Sequence, residues 1–341
     1  MTSGTMETID LAIVGAGPCG LAAAVAARKA GLHAVVFDRG PIVNGITGYP
    51  TYMTFFSTAD RISIGGVPFI VATEKPSRRD ALAYYRAVAD LFELDVRQYE
   101  TVDRLEAAHD MSGDGPTRGR PSWLLHTSRR TGSTSVTHAR AIVVATGYFG
   151  RPNRLGVPGE ELPHVRHGYE DGHYAWKQQV VVVGGGNSAV DAALDMYRAG
   201  GDVTMVHFAE SLDPNVKPWV RPEIEARLRE GKIRALYGSR VTAITEDHVV
   251  VHGPDGEQRV PATQVYELTG YLPETGLLQQ VGVPIDPESG VPAHDPLTMA
   301  TPVPGVYLAG VIASGFQANR IFIENGRDHG EMIVADLLSY Q

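Results

Sequence analysis

The stretch Ile9–Gly20 reads IDLAIVGAGPCG and decides the fold. A short apolar run ends at a glycine turn, as a buried parallel strand does when it leads into a helix. The glycines of a GxGxxG pattern allow a tight turn, a close backbone approach to a diphosphate and close helix–strand contact. An Ala-rich segment with high helix propensity follows at 21–30, and a second apolar run, Ala34–Phe37, completes a predicted βαβ unit.

This first glycine turn predicts a dinucleotide site. Asp38 lies at the end of the second strand, where a carboxylate can accept hydrogen bonds from ribose hydroxyls. The helix N-terminus offers free amide hydrogens and partial positive charge to phosphates. We therefore expect the dinucleotide to contact the residues of the turn and of the strand end, namely Gly15, Gly17, Pro18, Cys19, Gly20, Asp38 and Arg39.

A second strand–turn–helix pattern of the same design begins at Val180. The strand Val180–Val183 leads into GGGNSA at 184–189, in which alanine takes the third glycine position, an accepted variant. Two such turns in one chain indicate two dinucleotides, and the economical pair is FAD with a nicotinamide dinucleotide. For the second turn we expect cofactor contacts from Gly184, Gly186, Asn187, Ser188 and Ala189.

The strand after the second turn bears on the choice between NADPH and NADH. It ends in His207-Phe208-Ala209 and has no acid at the ribose-reading position, where a carboxylate would repel a 2′-phosphate. The pattern therefore permits NADPH, with His207 or Lys217 as the phosphate partner, and leaves NADH open. The arginine that is expected at an NADPH site is missing from this strand end.

Composition narrows the class of protein. The chain has 341 residues, enough for about two domains, and a net charge of −9, which argues against nucleic-acid and anionic-membrane partners. Its single cysteine, Cys19, allows no intrachain disulfide and no cysteine-based zinc site, and fits a reducing cytoplasm. His164, His167 and His173 lie in a connecting segment without helical spacing, so we predict no metal site.

Outside the glycine turns, residues 40–75 form a long connection that is poor in periodicity, a kind of segment that is often functional. The pattern predicts an amphipathic helix over Arg79–Leu94, a surface hairpin loop over Ser112–Ser122 and a last helix from about Ile321.

Four motifs resemble the two-dinucleotide flavoprotein disulfide reductases of the thioredoxin-reductase type. They are VGAGPCGLAAA at 14–24, VVATG at 143–147, VVGGGNSAVDAA at 182–193 and GVYLAG at 305–310. The resemblance implies an α/β fold with two Rossmann-like domains, the nicotinamide domain (156–271) being inserted into a discontinuous FAD domain (1–155 and 272–341). It also implies that Thr146 and Gly147, with Gly310 and Val311, close over the flavin.

Longer segments narrow the resemblance to the YpdA family of bacillithiol disulfide reductases. They are YPTYMTFFSTADRISIGGVPF at 49–69, VKPW at 216–219 and AGVIASGFQANRIFIENGRDHG at 309–330, and the family also has a cysteine in the position of Cys19. The family implies FAD, NADPH and reduction of a small sugar-thiol disulfide, in a protein that commonly self-associates. One departure is Phe208, where the family leads us to expect arginine.

The route of electrons to a disulfide is left open by the residues. No CxxC occurs in the chain, so Cys19 is the one candidate for a thiolate relay, with a pKa lowered by the helix dipole; the alternative is a packing role. Competing functions on the same scaffold are a ferredoxin or flavodoxin reductase and a flavin monooxygenase, although the FxGxxxHxxx monooxygenase fingerprint is missing between the two turns. A dinucleotide-sensing module without enzymatic activity is a further alternative.

Overall fold

The computed structural model describes residues 7–109 and 121–339, so positions 112–120 of the predicted hairpin loop lie outside the described residues. The chain divides into two compact units. The first unit comprises Met1–Thr47, Met53–Arg151 and Leu272–Gln341, and the second comprises Gly48–Tyr52 and Pro152–Tyr271. The change of unit comes at residue 152, inside a Pro- and Gly-rich connection that has no periodicity to mark a boundary. The predicted limits of the two cofactor domains stay a prediction.

Strands and helices alternate along much of the described chain. The strands are β1 Thr8–Val14, β2 Ala34–Asp38, β3 Asp95–Gln98, β4 Glu100–His109, β5 Pro121–Arg129, β6 Thr134–Val144, β7 Arg151–Pro152, β8 Val165–Arg166, β9 Gln179–Val183, β10 Asp202–Val206, β11 Arg234–Leu236, β12 Arg240–Ile244, β13 His248–Gly253, β14 Gly256–Pro261, β15 Gln264–Glu267, β16 Tyr271–Leu272 and β17 Val306–Leu308. The α-helices are α1 Pro18–Lys29, α2 Asn44–Thr47, α3 Arg78–Leu91, α4 Asn187–Arg198, α5 Arg221–Arg229, α6 Gly276–Gln280, α7 Ile323–Gly326 and α8 His329–Ser339.

The first unit is built on a seven-stranded sheet in the order β3-β2-β1-β6-β5-β4, with β17 also paired to β6. Strands β3, β2, β1, β6 and β17 pair in parallel, and β4 and β5 extend the sheet in antiparallel fashion. Leu11, Ile13 and Phe37 are fully buried, as expected of parallel strands covered on both faces. The sheet brings the ends of β1, β6 and β17 side by side.

The second unit contains a parallel sheet in the order β11-β10-β9-β15-β8 and a separate antiparallel sheet of β12, β13 and β14. Strand β9, helix α4 and strand β10 form the second βαβ unit that the sequence predicted. The predicted fold class, an α/β protein with two Rossmann-like domains of which one is inserted in the other, is confirmed.

The long connection at 40–75 contains helix α2 and is attached to α3 by tyrosine hydroxyls. The Tyr84 hydroxyl accepts a hydrogen bond from Ile64 N (2.9 Å) and donates to Val67 O (2.8 Å), and the Tyr85 hydroxyl donates to Ile62 O (2.8 Å). Helix α3 itself starts at a capping box formed by Ser77 and Asp80.

The last predicted helix is two helices, α7 and α8, rather than one starting at about Ile321. Gly326 ends α7, and glycine has low helix propensity. None of the helices in the described ranges is long and apolar enough to cross a membrane.

Candidate functional site

The first glycine turn packs so closely that two of its glycines have no room for a side chain. Gly15 has φ +114°, and a Cβ built there would lie 2.3 Å from Ala145 O. A Cβ built on Gly20 would lie 2.0 Å from Gly15 O, so α1 starts in direct contact with the strand that precedes it. These two positions explain why the chain has glycine at the first and last places of the pattern.

Gly17 differs, because a Cβ built there would meet no atom within 4 Å. It is the N-cap of α1, no side chain caps this helix, and Pro18 occupies the first turn. The amide hydrogens at the start of α1 therefore have no capping side chain, and no acidic side chain in the first turn neutralises the dipole. This cradle fits a diphosphate.

The strand-end residues next to this turn are already hydrogen-bonded. The Asp38 carboxylate accepts from Ala16 N and Gly40 N, both at 2.8 Å, so it fixes the loop beside the turn. Arg39 forms a bidentate ion pair with Glu274, at 3.0 and 2.7 Å. After two hydrogen bonds the Asp38 carboxylate still has lone pairs for a ribose hydroxyl. The Arg39 guanidinium would have to contact a cofactor while it stays paired with Glu274.

The segment after β6 contains a buried polar atom that lacks a partner. The Thr146 Oγ1 is buried and makes no hydrogen bond to any described residue. Buried hydroxyl groups almost always have a partner, so this orphan fits a polar atom of a bound cofactor. A Cβ built on the adjacent Gly147 would meet nothing within 4 Å, and the space beside Thr146 is therefore open.

Gly310 and Val311 lie where β17 runs into a 3₁₀ turn, Gly310–Ser314. Gly310 is buried, and its N–H donates to Nδ1 of the buried His329 (3.2 Å). Burial, with the nearby His294, lowers the pKa of His329, so its ring is neutral and its Nδ1 can accept.

Cys19 lies at the start of α1 and packs against two glycines. Its Sγ would be 2.9 Å from a Cβ on Gly310 and 2.8 Å from a Cβ on Gly326. Burial, with the negative charge of Asp328, raises the pKa of the thiol to about 12. The expectation that the helix dipole lowers this pKa is wrong for this structure, because desolvation outweighs the dipole.

The second glycine turn repeats the design of the first. Gly184 has φ +138°, and a Cβ built there would lie 2.4 Å from Leu268 O. Gly186 is the uncapped N-cap of α4, and a Cβ on it would meet nothing within 4 Å. Ala189 is fully buried in the turn, where its methyl group takes the place of the third glycine. The amides of α4 thus form a second open cradle.

A loop between β10 and α5 is tied to this second turn. Asn187 Oδ1 accepts from Lys217 N (3.0 Å), and Asn187 Nδ2 donates to Asn215 O (3.1 Å). The Lys217 side chain is largely buried and its ammonium pairs with Asp191. The side chains of Asn187 and Lys217, both expected at the cofactor, therefore also hold the protein together.

The end of β10 brings His207 against the turn. A Cβ on Gly185 would lie 2.5 Å from the His207 ring, and the Nδ1 of this ring is buried without a hydrogen-bond partner among the described residues. Burial lowers the pKa of His207, so the ring is neutral. The next residue, Phe208, is 62% exposed.

The second unit also contains a cluster of Glu160, His167 and Glu267, whose candidate ligand atoms lie within 4.8 Å of one another. His167 comes from the segment for which no metal site was predicted. Glu160 accepts hydrogen bonds from Leu155 N (2.9 Å) and Gly156 N (2.8 Å), and His167 Nδ1 is 3.2 Å from Glu267 Oε2. Burial, followed by the contact with Glu160, raises the pKa of Glu267 to about 8. A neutral Glu267 acid beside an ionised Glu160 accounts for this cluster.

Two Rossmann-like folds, each with an uncapped helix N-terminus facing open space, define a class of enzyme that holds two dinucleotides. The family model for pyridine nucleotide-disulphide oxidoreductases matches residues 12–310, and the chain belongs to this family. It is therefore an oxidoreductase that uses a flavin and a nicotinamide dinucleotide.

Individual relatives agree with this assignment. Bacilliredoxin reductase Bdr of Bacillus subtilis strain 168 is 41% identical over 326 residues, which are 95% of this chain and 96% of that protein. The structure of bacillithiol disulfide reductase Bdr (YpdA) from Bacillus cereus has a TM-score of 0.92 and 40% identity, over 98% of this chain and 100% of that one. A thioredoxin reductase from T. acidophilum, at 21% identity and a TM-score of 0.73, shares the fold. The resemblance to the YpdA family is confirmed.

Proposed function

We propose that this protein is an FAD-dependent, NADPH-oxidising reductase of bacillithiol disulfide. The observation that carries the proposal is its near-full-length similarity to proteins named as bacillithiol disulfide reductases, at 40% identity and a TM-score of 0.92 for the Bacillus cereus structure. Ferredoxin–NADP reductase of Ignicoccus hospitalis is a weaker match, at 26% identity. The similarity therefore favours a disulfide reductase over the alternative function of a ferredoxin reductase. The proposed setting is the bacterial cytoplasm, and self-association stays a prediction.

The chain's own residues bind and orient the two cofactors. In the proposal, the amides of α1 behind Gly17 bind the diphosphate of FAD, while Asp38 accepts from its ribose and Thr146 bonds to the flavin half. The amides of α4 behind Gly186 bind the diphosphate of NADPH. When both are bound, the nicotinamide supplies two electrons to the flavin, which delivers them to the disulfide.

Cys19 is the one residue considered for a covalent step with the substrate disulfide. The overall reaction converts one disulfide, one NADPH and one proton to two thiols and NADP⁺. A relay through Cys19 requires its proton to be removed first, because a thiol with a pKa of about 12 is not nucleophilic at neutral pH. Cys19→Ser that binds FAD and keeps full disulfide turnover would exclude the relay.

A protein disulfide is the second candidate substrate, because the Bacillus subtilis relative is named a bacilliredoxin reductase. The two substrates can be separated by steady-state assays. We expect NADPH oxidation with bacillithiol disulfide alone. Activity that appears only when a bacilliredoxin in its oxidised form is added would instead favour the protein substrate.

The experiment that tests the proposal is an absorbance spectrum of the purified protein followed by NADPH oxidation with a panel of disulfides. We expect a flavin band near 450 nm, which NADPH bleaches anaerobically, and turnover with bacillithiol disulfide above that with glutathione disulfide and cystine. A protein that cannot be loaded with FAD, or one whose bound flavin passes electrons to none of these disulfides, would contradict the proposal.

The cradle at Gly17 can be tested without disturbing the fold. A Cβ at Gly17 meets no described protein atom within 4 Å, so we expect Gly17→Val to leave the unliganded protein folded while it blocks the approach of a diphosphate. We expect loss of bound FAD, measured by absorbance, with an unchanged far-UV circular dichroism spectrum. Gly276→Val is the matched control, because Gly276 also has open space around it and lies in α6. Equal FAD content in both variants would place the diphosphate elsewhere.

A further inference from the structure

The strand end that follows the second glycine turn lacks its expected arginine, and the structure shows a different arginine beside it. Arg240, the first residue of β12, has its guanidinium carbon 5.1 Å from the centre of the Phe208 ring. Phe208 stands where an arginine was expected, so the guanidinium of Arg240 lies at the place that the sequence leaves without a positive charge.

Backbone hydrogen bonds fix this arrangement. His207 N donates to Leu236 O (2.9 Å), Ser239 N donates to His207 O (3.0 Å), and Gly238 N donates to Ala209 O (2.8 Å). The segment that leads into β12 therefore runs along the end of β10. The main chain therefore brings the residues Phe208 and Arg240 close together, and the stacking of guanidinium on ring is made by their side chains.

Arg240 also has no acidic partner among the described residues to neutralise its charge at this strand end. Its side chain is exposed and makes no ion pair or hydrogen bond to a side chain within residues 7–109 and 121–339. The charge of Lys217 is taken by Asp191, and the His207 ring is neutral. Of the two residues first expected to meet a 2′-phosphate, one is engaged and the other is uncharged.

The exposed Phe208 ring gives Arg240 a support. A guanidinium stacked on an aromatic face keeps its edge N–H groups free, and these match the oxygens of a phosphate in a bidentate manner. We infer that Arg240, held on Phe208, forms the subsite for a phosphomonoester at the 2′ position of the adenosine of the nicotinamide cofactor. The inference rests on the proposed function and deepens it. In this chain NADPH would be selected by Arg240 of the antiparallel sheet and not by a residue at the end of β10.

Binding of fragments tests the subsite apart from activity. The FAD-loaded full chain is titrated calorimetrically with 2′,5′-ADP and with 5′-AMP, which differ in the 2′-phosphate. We expect Arg240→Gln to weaken 2′,5′-ADP about ten- to a hundredfold, the usual range for one charge-assisted phosphate contact, and to leave 5′-AMP unchanged. Arg259→Gln is the control, because Arg259 is an exposed arginine of β14 in the same antiparallel sheet.

A positive charge introduced at position 208 should restore the binding that Arg240→Gln removes. Phe208→Arg in the Arg240→Gln background should recover 2′,5′-ADP binding to within a fewfold of the parent, because the charge returns to the same strand end. A parent protein that binds 2′,5′-ADP no better than 5′-AMP would overturn the inference. So would an Arg240→Gln variant that loses thermal stability but keeps its 2′,5′-ADP affinity, since Arg240 would then be only a surface contact.

The two proposals fail in distinguishable ways. If the protein discriminates 2′,5′-ADP through Arg240 but reduces no disulfide, the subsite stands and the proposed substrate is wrong. If bacillithiol disulfide is reduced equally well with NADH and NADPH, and Arg240→Gln changes neither, the proposed reductase stands and the subsite is wrong.

Discussion

At the scale of single residues, each glycine turn depends on a first glycine that has no room for a side chain, because a Cβ on Gly15 or Gly184 would collide with a neighbouring carbonyl oxygen. The spacing of the glycines predicts these positions. The pKa of Cys19 was predicted in the wrong direction. Its burial depends on Gly310 and Gly326, which are distant in sequence and carry no local signal.

Cys19 gives a chemical prediction. Because burial raises the pKa of the thiol to about 12, only about one thiol in a hundred thousand is ionised at pH 7, and alkylation should be correspondingly slow. We expect iodoacetamide labelling, followed by intact mass, to be negligible at pH 7.5 and to accelerate steadily up to pH 10. The same protein in urea is the control and should label with an ordinary thiol profile. Fast labelling of the folded protein at pH 7.5 would contradict the raised pKa.

Glu267 was missed by the sequence reasoning, although a signal was present. It ends the strand Gln264–Glu267, in which Val265 and Tyr266 are buried, and an acid in such a strand indicates a special environment. The exposed Arg240 carried no comparable signal. Its role depends on backbone hydrogen bonds that bring the entry to β12 to the end of β10, and sequence spacing does not encode them.

Glu267 also gives a pH prediction. Its pKa of about 8 in the folded protein lies above the ordinary 4.5, so the native state keeps a proton that the unfolded state has lost. Stability should therefore fall as the pH rises from about 4.5 to 8, with a slope from this group of up to about 1.4 kcal/mol per pH unit. Glu267→Gln should flatten that slope and be more stable than the parent at pH 8, as measured by chemical denaturation.

The control for this pH dependence is Glu257→Gln, which changes an exposed acid of β14 by the same chemistry. Its pH profile should match that of the parent protein. Parallel profiles for Glu267→Gln and the parent would mean that Glu267 is ionised in the folded state, and the account of the Glu160–His167–Glu267 cluster would be wrong.

At the scale of elements, local patterns predicted the two strand–turn–helix units and the helix α3 to within a few residues, since periodicity and capping residues are local. They did not predict that the last helix divides into α7 and α8. They also did not predict which strands pair, because the antiparallel extension by β4 and β5 is a matter of long-range register.

The crossing of α1 and α8 gives a prediction at this scale. A Cβ on Gly330 would lie 2.5 Å from the Ala23 Cα, a backbone atom that cannot move aside. We expect Gly330→Ala to destabilise the first unit by about 1–3 kcal/mol, the usual cost of overpacking, and to lower the temperature of FAD release. Thermal unfolding followed by flavin fluorescence measures this. Gly276→Ala, in open space, should change little, and equal melting of both variants would show that the crossing tolerates a methyl group.

At the scale of the whole molecule, the motifs implied an inserted domain, and the structure divides the chain in that manner. The sequence did not indicate that the short segment Gly48–Tyr52 belongs with the second unit. The reason is visible in one contact, the hydrogen bond from Thr51 N to Glu170 O (2.9 Å), which joins positions far apart in sequence. Which cofactor each unit holds stays a proposal.

The division predicts unequal behaviour of fragments. The segment 152–271 contains both of the second unit's sheets and its helices α4 and α5, so it should fold when expressed alone. The segment 1–151 lacks β17 and α8, which pair with β6 and pack on α1, and should not form a stable fold. Amide dispersion in two-dimensional NMR spectra distinguishes the outcomes, and a well-dispersed spectrum from 1–151 would contradict the expectation.

The pairing of β6 with β17 has a consequence for biosynthesis. A ribosome completes the second unit while Ile142–Val144, the end of β6, still has no partner on the side away from β1, where β5 pairs only with the earlier residues of β6. That end stays open until Val306–Leu308 has emerged. Until then the nascent protein exposes an apolar strand edge. Chaperones that shield such edges would be needed most during the interval in which the inserted unit is being translated.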